Sequence, residues 1–407
     1  MIMKHSVIVS ICLALVVGGC LAFSNSSKLK RFIYNRKLDI TMPFPISQAA
    51  FEALMQSRAP SWMLSQIKSD LKLYADVPVS PEILDLVYAS LQEYKIARFQ
   101  IRGNRFTFQA SCDLNHVRFI ALKEGLQKIC EIYPHLNADF IVSLEDDMTD
   151  IHYPIFVFAK SVRNSHQILI PDFTCFAKKT TSYAWTYSLF QKILNASQNS
   201  PWEDKIEQLI WRGATTGRHH TSENIGCSNA RCKLCTLSQF HPSLINAQFT
   251  DISQLDSSIA STFKKNYKLG DFLSPEEQIN YKYLIALDGN TCTYPGMHWR
   301  LLSNSVVFKT ATNQIQWYYA GLEPWVHYIP IEKDLSNLIP MIEWAKNHDS
   351  DAEKIAKQAS LFAESYLSEE GIYQYLCHLL IEYEKIYQDQ LSYVDLRLSE
   401  GTFFSSK

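Results

Sequence analysis

Three short polar segments carry the residue types best suited to chemistry. The first is Glu145-Asp146-Asp147, directly after the apolar run Phe140 to Leu144. A carboxylate at the end of a buried strand can act as a general base toward a hydroxyl. Adjacent carboxylates also attract hard cations, and an acidic turn can simply be solvated. The second is Trp211-Arg212-Gly213-Ala214-Thr215-Thr216-Gly217-Arg218. Small residues let backbone N–H groups approach an anion, and Arg212 and Arg218 could grip phosphate with forked donors. The third runs from Asp288 to Arg300 and holds Gly289, Asn290, Thr291, Thr293, Tyr294 and Gly296. Trp299 in that stretch reads as a core residue or as a stacking platform.

Ligands in open α/β sheets sit beyond the carboxyl ends of the strands, and each of these segments follows an apolar run of strand length. Around them the pattern is helix, strand, loop, repeated, which is the grammar of a parallel α/β sheet. Residues 45–75 read as mostly helical, with Ser47 as a cap and Pro60 as a break. Residues 80–95 read likewise, with Pro81 near the first turn. Phe99 to Phe108 alternates around Gly103-Asn104, a hairpin signal. His116 to Ile132 reads as a helix, and Phe140 to Leu144 and Ile155 to Ala159 as strands. A second block opens near residue 205, with strands at Leu209 to Trp211, Tyr283 to Leu287, Ser305 to Lys309 and Val326 to Pro330. Helices are expected at Asp334 to Asn347, Ser350 to Tyr366 and Ile372 to Tyr387.

Ten cysteines are present. The cluster His219, His220, Cys227, Cys232 and Cys235 stands out, because Cys232-Lys233-Leu234-Cys235 has the spacing with which two thiolates clasp zinc. Disulfides in an exported domain or free thiols fit equally. This is half of a zinc signature, so no metal is assigned to the site.

Tyr281-Lys282-Tyr283-Leu284-Ile285-Ala286-Leu287-Asp288-Gly289-Asn290 resembles the central signature of glycosyltransferase family 90. That family holds capsule-associated and lipopolysaccharide-modifying transferases and the protein O-glucosyltransferases. Ser303 to Lys309, Leu322 to Pro330, Asp334-Leu335, Trp344 to Asn347 and Ile355-Ala356 continue the match. It is clear over about 205 to 387 and fainter back to about 110. The resemblance implies a GT-B fold, two Rossmann-like α/β lobes facing across a cleft, and inverting, metal-independent transfer from a UDP-sugar. No further cofactor is implied. Asp146 looks like the catalytic base. Arg212, Gly213, Ala214, Thr215, Arg218, Asp288, Gly289, Asn290, Thr291, Thr293, Tyr294 and Arg300 fall on the donor side. Asp172, Phe173 and Thr174, within a stretch reaching Lys178, fall where the acceptor is held. The eukaryotic O-glucosyltransferases place an arginine on the diphosphate where this chain has Pro295-Gly296, and Arg300 is the candidate to take its place. Many members have glutamate where this chain has Gln316.

At 407 residues, with 47% hydrophobic and 20% charged, the composition is that of a globular protein too long for a single core. Expected parts are an apolar segment and basic flank (1–35), a first α/β lobe carrying base and acceptor (36–195), a second lobe for the nucleotide sugar (196–375), and a closing helix and tail (376–407). A formal net charge of -2 without a basic run gives no support for a nucleic-acid partner. The aromatics, 13% of residues, suit cores or sugar stacking. Ser6 to Phe23 is apolar and followed by Lys28, Lys30, Arg31, Arg36 and Lys37. It fits a retained membrane anchor or a secretory signal, and the small residues before Cys20 in Val17-Gly18-Gly19-Cys20 leave lipoprotein processing as a third option. The expected acceptor is a cell-envelope glycan, lipopolysaccharide or protein. A non-catalytic glycan- or nucleotide-sugar-binding protein is the competing reading.

Overall fold

The computed structural model describes residues 38–41, 58–76, 79–102, 105–146, 151–176, 187–217 and 229–401, with 53, 55, 56 and 148 besides; the last fourteen are described in backbone alone. Two central sheets organise them. The first runs β1 (Leu38–Thr41), β3 (Arg105–Ala110), β2 (Ile96–Arg102), β4 (Ala138–Ser143), β5 (Ile155–Val157), β7 (Gln167–Leu169). The hairpin read at Gly103-Asn104 is present: β2 and β3 are antiparallel with Arg102 opposite Arg105, and the two tip residues lie outside the described set. Because a tight hairpin can only join antiparallel strands, this sheet is mixed rather than wholly parallel. β4, β5 and β7 are its parallel part.

The second sheet runs β13 (Ile329–Ile331), β11 (Val306–Thr310), β10 (Tyr281–Ala286), β8 (Ile206–Ala214), β9 (Ile245–Asp251), all parallel. β10 is buried along five of its six residues, as a parallel strand covered on both faces must be. The strand expected at Val326 to Pro330 shrinks to β13. Residues 323–328 curl into a turn in which Trp325, at φ 65, donates its N–H to the Tyr328 carbonyl at 2.7 Å.

The helices are α1 (Ser61–Asp76), α2 (Pro81–Ser90), α3 (Val117–Ile132), α4 (Tyr187–Gln198), α5 (Ala230–Phe240), α6 (Ser257–Asn266), α7 (Pro275–Gln278), α8 (Pro295–Leu302), α9 (Leu338–Asn347), α10 (Asp349–Tyr366) and α11 (Glu369–Gly401). Local chemistry sets several starts. α1 begins just after Pro60, and Ser80 caps α2 with Pro81 in its first turn. The segment around Ser47 lies outside the described residues, as does the apolar run Ser6 to Phe23. Among the described residues no helix is long and apolar enough to cross a membrane.

The two halves are tied together. α11 returns to the first sheet, where the Tyr383 hydroxyl donates to the Asp139 carbonyl (2.9 Å) and Glu384 accepts from the Asn137 N–H (2.8 Å). β6 (Lys160–Ser161) pairs with β12 (Gln314–Ile315) across the halves. One hydrophobic core runs from Phe99 and Phe140 through Tyr383 to Leu284 and Met297.

Candidate functional site

Asp146 lies three residues beyond β4, where the two halves meet. The turn sends its neighbours different ways. Glu145 accepts from the Lys95 N–H (3.2 Å) and lies 3.6 Å from its ammonium. Asp146 faces the second half. Arg118, from the first turn of α3, sits 2.6 Å from one carboxylate oxygen, and Asn290 Nδ2 donates to the other at 3.0 Å. The Asp146 carbonyl accepts from Thr291 Oγ1 (3.0 Å) and from the Tyr294 hydroxyl (3.3 Å). The carboxylates therefore do not converge on one point, and Asp147 lies outside the described residues. Tyr294 holds its pose at φ 42, a conformation costly for a side-chain-bearing residue. A cavity of about 610 Å³ opens beside this cluster, lined by Lys95, His116, Arg118, Glu145, Gln254 and Asn290 among others. Burial and the neighbouring Lys95 and Arg118 push the His116 pKa down, which keeps its ring neutral near pH 7.

Asn290 also reaches the second loop: its side-chain oxygen accepts from the Gly217 N–H at 3.3 Å. Gly217 stands at φ 116, and a Cβ there would sit 3.3 Å from Asn229 Nδ2. Asn229 caps α5, accepting from the Arg231 N–H at 2.8 Å. Arg231 then knits the loops together. It donates to the carbonyls of Ala214 (2.8 Å) and Asp288 (3.1 Å) and to Thr216 Oγ1 (2.6 Å). Burial pushes its pKa down to about 10. Arg300 is likewise buried. Its Nη1 donates to the Gly296 carbonyl at 2.7 Å, and its guanidinium occupies the space before Gly296, where a Cβ would meet Nη1 at 2.9 Å. Its Nε has no acceptor; burial, and secondarily Arg231, push its pKa down to about 9. Among the described residues no carboxylate lies within ion-pair distance of either guanidinium. A buried charge is costly unless paired, so this pair creates a strongly positive place beneath the loops.

The remaining sequence candidates divide. Gly289 lies against Arg231 and Thr216. Thr293 accepts the Gly296 N–H through its carbonyl. The carboxylate of Asp288 faces Thr312 and Lys309, and burial raises its pKa. Thr215 is wholly buried and tied to Ser253. Arg212 is a correction. It was expected beside Asp288 to Asn290, but it bonds the Asn246 side chain (3.0 Å), the Asn246 carbonyl (2.9 Å) and the Asp271 carbonyl (3.3 Å) on the β9 side of the sheet. Gly213 stays small because the Trp211 ring folds over it at 2.5 Å from a Cβ. Arg218, with His219, His220 and Cys227, lies outside the described residues. Cys232 and Cys235 sit on α5 with their side chains buried in the core.

Of the residues expected to hold the acceptor, Phe173 packs beside the Asp146 cluster: the Arg118 guanidinium lies 4.7 Å over its ring, and the Tyr294 ring is 6.4 Å away. Asp172 and Thr174 are corrections, since both are buried, with Asp172 accepting from the Thr174 N–H at 3.0 Å. Lys178 lies outside the described residues. Sequence reasoning missed Lys95, His116, Arg118, Arg231 and Gln254. Arg231 carried a usable signal, because Asn229 is a good N-cap residue two positions before it.

A family model described as glycosyl transferase family 90 matches residues 56–393. Protein O-glucosyltransferase 2 of Danio rerio is 25% identical over 88% of this chain and 68% of its own length. Protein O-glucosyltransferase 1 of Rattus norvegicus is 29% identical over 57% of each chain, so this chain spans little more than half of that relative. A crystal structure of Anabaena HepE in complex with UDP and glucose superposes with a TM-score of 0.30 at 11% identity, over 51% of this chain and 55% of that one, a likeness too slight to argue from. With the match running from before α1 into α11, and so through both sheets and the loops between them, the chain belongs to glycosyl transferase family 90.

Proposed function

We propose that the protein is an inverting glycosyltransferase that moves a hexose or pentose from a UDP-sugar to a hydroxyl of a cell-envelope glycan, lipopolysaccharide or protein. In this reading the two sheets are the lobes of a GT-B fold. Asp146 is the base that takes the acceptor proton, and the loops over Arg231 and Arg300 receive the diphosphate. The observation that carries the reading is the pair of buried guanidinium groups with, among the described residues, no carboxylate at ion-pair distance, set across Asn290 from Asp146. Inversion needs base and departing diphosphate on opposite faces of the sugar. Here the acid comes from the first half and the buried guanidinium pair from the second, with the cavity beside them. The names of the animal relatives support glucosyl transfer to a hydroxyl. No step of this reading uses a metal or another cofactor, and the apolar N-terminal segment would hold the enzyme at a membrane or direct its export.

The test is a pair of measurements on Asp146→Asn. UDP affinity should stay unchanged by calorimetry, while transfer or slow hydrolysis of UDP-sugars falls about a hundredfold or more, the span for loss of a general base. A mutant that turns over at the wild-type rate would remove Asp146 from catalysis.

A further inference from the structure

Away from that cavity, three groups of different chemistry meet in the protein interior. Asp172 and Cys175 lie at the 3-10 turn Phe173–Cys175 after β7, and His298 comes from α8 in the other half. Cys175 Sγ is 3.7 Å from Asp172 Oδ2, and His298 Nε2 is 4.0 Å from the same oxygen. All three possible ligand atoms lie within 4.8 Å of one another. Asp172 and His298 are wholly buried, and Cys175 is half-buried beside them. We propose that Asp172, Cys175 and His298 form a site for one zinc ion that ties the two halves of the chain together.

Charge supports this first. The Asp172 carboxylate is 0% exposed, and among the described residues no lysine or arginine lies within ion-pair distance of it. Among the described residues that acid has no cation to offset it, which is costly. A divalent ion with one carboxylate, one thiolate and one neutral imidazole has no net charge. Binding breaks the Cys175 S–H bond and sends that proton to solvent, as metal uptake at thiols generally does.

Ligand type supports it next. A thiolate and an imidazole select zinc over magnesium, calcium or manganese. Zinc bonds of about 2.0 to 2.3 Å at tetrahedral angles put ligand atoms about 3.3 to 3.6 Å apart. The atoms here lie 3.7 and 4.0 Å apart at the two Asp172 contacts and all within 4.8 Å, so the side chains must close in by up to about 1 Å to bind the ion. The other Asp172 oxygen is already fixed by the N–H and hydroxyl of Thr174, which leaves Oδ2 facing the thiol and the imidazole. Metal-binding carboxylates are oriented by such outer partners. None of the three ligands lines the Asp146 cavity, although Phe173 of the same turn packs under Arg118, and the ion is given no catalytic role.

The test measures metal, not activity. The full chain, purified without chelator, should carry one zinc ion per chain. After stripping and reloading with cobalt, it should show thiolate-to-cobalt charge transfer in the near ultraviolet. Cys175→Ser should abolish that band, and His298→Gln should weaken zinc more than a hundredfold in chelator competition. Thr174→Val, which removes only an outer partner, should weaken zinc about tenfold to a hundredfold and serves where either ligand variant fails to fold. Cys130→Ser, a buried thiol elsewhere, should leave the band intact. A full chain that holds no zinc and gives no cobalt band, or a band that survives in Cys175→Ser, would overturn the proposal.

Discussion

Replacing Arg300 with methionine should move stability and ligand binding in opposite directions. The guanidinium is 5% exposed, and burial, its largest influence, pushes its pKa from 12.5 down to about 9. At roughly 1.4 kcal/mol per pKa unit, the charged form pays on the order of 5 kcal/mol in the folded state. Methionine fills similar volume without a charge. It forfeits the bond to the Gly296 carbonyl and the contact with the Trp299 ring at 4.3 Å, together about 2 kcal/mol. The ligand-free mutant should therefore be more stable, by about 1 to 3 kcal/mol on urea denaturation at pH 7. UDP affinity by calorimetry should fall about tenfold to a hundredfold, the worth of a charge-assisted bond. The pH dependence has a definite sign. Arg300 is a base with a lowered folded pKa, so it destabilises the wild type fully below about pH 9. That penalty fades as pH rises from 9 toward 12.5, because the unfolded chain then binds more protons than the folded one. The stability gap between mutant and wild type should begin to close above pH 9. A methionine mutant that is less stable and binds UDP as tightly as wild type would make Arg300 a structural strut and withdraw it from the donor side.

Three further outcomes follow from the same geometry. Arg212→Ala should leave UDP affinity within twofold of wild type, because its guanidinium is committed to Asn246 and Asp271; a tenfold loss by calorimetry would return it to the donor site. Gly217→Ala should destabilise the donor loop by about 1 to 3 kcal/mol, the range for a residue forced to an unfavourable φ; it should weaken UDP while sparing the global unfolding midpoint, and an unchanged UDP affinity would disprove the loop's role. Asn290→Ala removes the one side chain that bonds both Asp146 and Gly217. Transfer should fall at least tenfold with a smaller change in UDP affinity, and a mutant with wild-type turnover would show that the bridge positions nothing.

What could be read from the chain depended on whether a residue's setting is local or assembled. The α3 and α10 helices, the β2–β3 hairpin and the strands feeding residues 145, 211 and 288 rest on short-range periodicity and turn chemistry, and they stand in the structure. The hairpin signalled one antiparallel pair, but the antiparallel pairing of β2 with β4 and of β1 with β3 was hidden, because no tight turn joins those strands. The acids show the same divide. Asp146 and Asp172 each follow a strand by three residues, although the sequence pattern marks only the strand before Asp146. One side chain is 25% exposed at the cavity and the other is 0% exposed. The difference comes from what covers them: α3 supplies Arg118 beside Asp146, whereas α8 lays His298 over Asp172. Arginine gives the sharper case. Arg212 stands beside a glycine, yet its guanidinium bonds Asn246 and Asp271 and not the loop that Gly217 and Asn290 form. Arg231, fourteen residues beyond that glycine, reaches the loop because Asn229 starts a helix there and aims the first turn at it. A helix start collects free N–H groups and positive potential within one turn. The capping residue is therefore a better guide to the arginine that ties these loops together than the glycine-rich run.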